Sequence, residues 1–111
     1  MTKYIYITTQ FEGYHCWPDA PAEVNFLRHR HRHMFHVKVE MEVHHDDREL
    51  EFFLVKRYVD TILPSKELGV QSCEMIATHI LHAMQLRYGS RWCKVTVNED
   101  NENGAYVVYG R

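Results

Sequence analysis

The sequence predicts an α+β domain in which an antiparallel four-stranded sheet carries two helices on one face, in the order ββααββ. Three observations predict it. Residues 35 to 43 alternate strictly between apolar (Phe35, Val37, Val39, Met41, Val43) and polar side chains, the period of a strand with one buried face. From Phe52 to Met84 the apolar spacing changes to three and four residues, the period of helices laid on a sheet. Near the C-terminus, two β-rich runs flank a turn at Asn101-Glu102-Asn103-Gly104, the signature of a hairpin.

Each element follows from its residues. Residues 3–9 are rich in β-branched and aromatic side chains and predict a first strand. Residues 16–26 hold Pro18, Asp19, Pro21 and Asn25 and read as a loop, long enough to suggest a task of its own. The second strand covers about 31–43, and His44 to Arg48 break it with a turn. Phe52, Val55, Val59 and Ile62 share one helical face, and Pro64 closes that helix. Ser72 is an N-cap candidate for a second helix, with Glu74 in its first turn beside the positive end of the helix dipole. Ile76, Ala77, Ile80, Leu81 and Met84 form that helix's buried stripe, which ends near Gly89. Residues 92–98 and 105–109 supply the last two strands.

Composition narrows the function. A chain of 111 residues, 45% hydrophobic and 25% charged, is a single globular domain spanning 1–111. Its formal net charge of −2 gives no electrostatic case for binding nucleic acid. No apolar run reaches the roughly 18 residues of a membrane helix. Three cysteines, with no CxxC pair and no leader-like segment, predict free thiols and a cytoplasmic location.

The run His29-Arg30-His31-Arg32-His33 is the chemical focus. Continuing the strand register backwards puts His31 and His33 on the apolar row, with Cα atoms roughly 6.5–7 Å apart, while Arg30 and Arg32 face the other way. His29 falls ahead of the strand proper. Counting by twos along the first strand, Ile5, Ile7, Thr9, Phe11, Gly13 and His15 share a side, so His15 is the third candidate metal ligand. Spacing alone leaves both metal ligation and pairing with carboxylates open. Glu99 closes the Val95, Val97 row, where a carboxylate suits a guanidine-like ring edge, although position alone favours a solvated residue of an acidic turn. Cys16, beside His15, is either an activated thiol or a packing residue, and Cys73 and Cys93 read as core positions.

In order along the chain, these segments resemble the 6-pyruvoyltetrahydropterin synthase and 6-carboxytetrahydropterin synthase family, zinc lyases of the tunnelling fold. That family's Phe-x-Ala-x-His is similar to Phe11-Glu12-Gly13-Tyr14-His15, and its His-Gly-His-x-aromatic to His31-Arg32-His33-Met34-Phe35. Its Asp-Phe-x-x-Leu-Lys is similar to Glu51 to Lys56, its Thr-x-Glu-Asn to Ser72-Cys73-Glu74-Met75, and its final strand to Val95 to Glu99. The resemblance implies Zn2+ held by His15, His31 and His33, with Glu99 and Glu74 as ligand-binding carboxylates. It also implies a pterin or purine-like small molecule as ligand and a homo-oligomer, trimer or hexamer, with sites between subunits. The expected activity is a carbon–oxygen lyase acting on a dihydroneopterin triphosphate-like substrate, toward a tetrahydropterin or 7-deazaguanine product. Two family features have no counterpart. Asn25-Phe26-Leu27-Arg28 lacks the catalytic thiol or glutamate that precedes His-x-His, and residues 61–71 lack the family's Leu-Asp-His segment. Cys16 and Glu23, in or beside the long loop, are the candidate replacements, and a homologue that binds or sequesters its ligand without turnover is the alternative. A structural shell, whose histidines bind metal only for assembly, is the third reading.

Overall fold

The alternating run of residues 31–43 is the central strand of the sheet. In the computed structural model, which describes residues 1–110, the elements are β1 (Lys3–His15), a 3-10 helix (Ala22–Arg28), β2 (His31–Val43), α1 (Phe52–Ile62), β3 (Glu67–Gly69), α2 (Cys73–Tyr88), β4 (Cys93–Glu99) and β5 (Asn103–Tyr109). The strands lie in the order β3-β1-β2-β4-β5. β1, β2, β4 and β5 are antiparallel to their neighbours in that series, and β3 runs parallel to β1. No helix is long and apolar enough to cross a membrane among the described residues.

The expected four-stranded antiparallel sheet of the tunnelling fold, with two helices, is therefore corrected to a five-stranded mixed sheet with three helices. The reason is local. β3 has three residues and a single inward side chain, Leu68, so no alternation marks it. It is held instead by backbone bonds: Tyr14 N–H donates to Lys66 O and Cys16 N–H to Gly69 O, both at 2.9 Å. The third helix begins inside the stretch read as a loop and runs two residues past it to Arg28, with Pro21 at the N-cap position in extended geometry.

The buried face is the one the alternation predicts. Phe35, Val37, Val39 and Met41 of β2 and Val95 and Val97 of β4 are at most 1% exposed. α2 covers them with Ile76, Ala77, Ile80, Leu81 and Met84, the full predicted stripe. Ser72 caps that helix as expected, accepting from Met75 N–H at 3.1 Å. α1 buries Val55 and Val59, but Phe52 is 51% exposed, because the helix begins there and its first turn overhangs the core. The α1 cap is Glu51, whose carboxylate accepts from Phe53 and Leu54 N–H.

Register carries the core row into the site. Phe11 stands opposite Phe35 on β2, Gly13 opposite His33, and His15 opposite His31, while Phe35 pairs on its other side with Glu99. The row thus runs dry as far as the stacked Phe11 and Phe35 rings, 5.3 Å apart, and then turns polar. Gly13 makes this join possible. A Cβ there would stand 2.6 Å from Leu68 Cδ1 and 3.0 Å from the Phe35 ring, so its bare backbone is the slot into which β3 packs. Gly13→Val is expected to destabilise the domain by about 1–3 kcal/mol through this overpacking, measured by urea unfolding. An unchanged unfolding midpoint would contradict the tight slot.

Candidate metal centre

At the open end of the sheet, His15, His31 and His33 form a triangle whose ring centroids are 4.6, 5.4 and 4.9 Å apart. One ring nitrogen from each lies within 4.8 Å of the others, so the group could hold a metal ion. The hydrogen bonds say which nitrogen. His15 Nδ1 is 2.8 Å from Gln71 O, His31 Nδ1 is 2.8 Å from His29 O, and His33 Nδ1 is 2.7 Å from Asp100 Oδ2. All three partners accept only, so each Nδ1 carries the proton and each Nε2 is left with a lone pair. Those three Nε2 atoms are buried and, apart from the Glu99 carboxylate near two of them, have no polar partner among the described residues.

This is an unstable arrangement for a site meant only to pack. A buried acceptor left unmade costs about 1–3 kcal/mol, and three such lone pairs face one another. A cation in the middle answers all three at once. The second partner on each Nδ1 is the feature that commonly fixes ring orientation around a bound metal. Three imidazoles suit a first-row transition ion such as zinc, copper, nickel or iron better than calcium or magnesium.

Glu99 closes the ring of groups. Its Oε2 is 3.1 Å from His15 Nε2, and its Oε1 is 3.5 Å from His33 Nε2. The carboxylate raises the His15 pKa above its ordinary value against the opposing effect of burial, and His15 in turn lowers that of Glu99. The pocket therefore favours positive charge among its nitrogens. Asp100 is lowered as well, first by His33 and then by the Met34 N–H.

His15 and His31 line a cavity of about 430 Å³ walled also by Cys16, Trp17, Leu27, Cys73, Glu74 and Glu99. The structure thus places Cys16 and both predicted ligand carboxylates on one cavity. Glu23 is not brought there: it is exposed on the 3-10 helix and lies outside the cavity wall. Cys73, read from the sequence as a core position, is in the buried core and also lines the cavity. Burial and then the neighbouring Glu99 push its thiol up to about 12, so it stays protonated. Its place in the first turn of α2 was legible, but its approach to the end of β4 was not.

No protein-family model matches the sequence, and no curated protein matches it. Among solved structures, the fold is similar to that of an uncharacterized protein, WS1659, from Wolinella succinogenes, with a TM-score of 0.69 and 18% identity over 100% of this chain and 99% of that one. At that identity the likeness extends to the fold alone. Fold and site together define an α+β domain carrying a three-histidine centre at the end of its sheet.

The geometry makes a direct prediction. Dialysed against a divalent transition metal and desalted, the protein should retain about one ion per chain by elemental analysis. The ion should be lost in His31→Ala/His33→Ala and released as pH falls below the imidazole range, since only neutral imidazoles ligate. Equal retention by the double variant would show that the triad is not the site.

Proposed function

We propose that the protein is a zinc-dependent lyase of the pterin synthase type, acting on the heterocyclic end of a dihydroneopterin triphosphate-like molecule. The observation that carries the proposal is the set of three converging, buried Nε2 atoms, with His15 and His31 lining a cavity large enough for a small ring system. His15, His31 and His33 are the ligands, and three protein ligands with a fourth position open is the pattern of catalytic rather than structural zinc. Bound zinc would act there as a Lewis acid on a substrate oxygen.

The remaining roles belong to the chain's own side chains. Among the described residues, two carboxylates, Glu99 and Glu74, and no lysine or arginine stand in the cavity wall. Such a wall suits the N–H donors of a pyrimidine ring edge and offers a triphosphate tail no cationic side chain among the described residues, which supports the ring end as the part enclosed. Cys16 is the candidate proton-transfer group, because it lines the cavity next to a ligand and Glu23 does not. The apolar Trp17 and Leu27 limit water at the same wall.

One observation favours a second reading, a protein that holds the same ligand without turning it over. The segment that would carry an acid–base pair in the family instead forms β3, with Glu67 paired to Arg30 on the surface, and Cys73 is held protonated. Zinc-loaded protein incubated with dihydroneopterin triphosphate separates the two. The lyase reading expects product, with turnover falling about 100-fold or more in Cys16→Ala. Retained ligand without product, lost in Glu99→Ala, would favour the binding protein, and neither result would reject the pterin-type ligand.

The proposal includes a homo-oligomer, trimer or hexamer. Among the described residues β5 pairs only with β4, and it exposes Tyr106, Val108 and Tyr109, an edge of the kind that recruits another strand. Light scattering after size exclusion should therefore give a trimer or hexamer mass, and a monomer at all concentrations would remove the shared-site part of the proposal.

A further inference from the structure

The three candidate ligands differ in what holds them. His15 and His31 donate to backbone carbonyls, of Gln71 and His29, whereas His33 donates to a side chain, Asp100. We propose that Asp100 is the positioning residue of the metal centre, setting the tautomer, orientation and donor strength of His33. This rests on the metal-binding reading of the triad.

The geometry around Asp100 is specific. Its Oδ2 meets His33 Nδ1 at 2.7 Å, its Oδ1 accepts from Met34 N–H at 2.9 Å, and its own N–H donates to Met34 O at 2.8 Å. Every one of these contacts falls on two consecutive residues of β2, so the β4–β5 turn is clasped onto the strand that carries two ligands. The turn itself has φ of 58° at Asp100 and 60° at Asn101, with Glu102 N–H donating to Glu99 O at 2.9 Å. Left-handed backbone is easiest for glycine and then for asparagine or aspartate. Turn geometry alone would therefore accept asparagine at position 100, and it is the second carboxylate oxygen that asparagine lacks. An anionic acceptor on the far nitrogen makes an imidazole a stronger donor to a metal, and loss of such a partner typically weakens binding 10- to 100-fold. Glu99 and Asp100, adjacent in sequence, reach the triad from two sides: Glu99 beside the Nε2 atoms of His15 and His33, Asp100 on the Nδ1 of His33.

Asp100→Asn isolates this role. Asparagine tolerates the same backbone and can still accept from Met34 N–H, but its amide nitrogen cannot accept from His33 Nδ1–H. Zinc affinity, measured by competition with a chromophoric chelator, should fall about 10- to 100-fold in the variant. In metal-free protein, long-range 15N–1H spectra should show His33 leaving the Nδ1–H tautomer while His15 and His31 keep it, a change that a purely structural turn residue would not produce. Thermal unfolding of the metal-free forms checks that the variant folds. Wild-type binding matched within twofold by Asp100→Asn, with the His33 tautomer unchanged, would overturn the role of Asp100 and leave the triad standing. Failure of the wild type itself to bind zinc would overturn the metal reading and this inference with it.

Discussion

Three buried imidazoles whose Nε2 atoms face one another beside the Glu99 carboxylate, with no donor between them among the described residues, are the constraint on which the rest of the structure depends. Each Nδ1 is tied to an acceptor, so no ring can turn its proton inward without giving up a bond of 2.7–2.8 Å. The arrangement costs folding energy unless a cation enters, because an unmet buried acceptor is among the more expensive defects a core can carry. A bound ion that prefers the folded state returns that energy by mass action.

The sheet supplies this geometry by simple means. Antiparallel pairing sets His15 across from His31, and the two-residue period sets His33 beside it over Gly13. β3 then completes the work by backbone alone: lying parallel to β1, it leads the chain through Gln71, whose carbonyl orients His15, into the capped start of α2. The polar end of the core row and the apolar remainder are therefore one construction. Phe35, fully buried, packs against the His15 and His33 rings at 5.3 and 5.8 Å and forms the floor of the centre.

The triad was legible in the sequence because a strand's period is rigid: once Val37, Val39 and Met41 fix the buried face, His31 and His33 must share it. His15 followed by the same count from Ile5 and Ile7. The helical stripe of α2 was legible for a similar reason. What lay beyond reach was carried by atoms that residue identity does not encode. The carbonyls of Gln71 and His29 belong to every residue alike, and β3 is too short to show a pattern. Glu23 was a chemically reasonable candidate, but a 3-10 helix where a loop was expected holds it in solvent. Asp100 and Cys73 were hidden in plainer settings, an acidic turn and a helix start, and only the folding of β4 beside β2 and α2 brings them to the histidines.

X-ray absorption at the zinc edge of the loaded protein tests the central claim most directly. The account predicts three imidazole nitrogens at about 2.0–2.1 Å with their characteristic outer-ring scattering and no sulfur. A sulfur ligand at about 2.3 Å, or a first shell of oxygens without imidazole scattering, would contradict it.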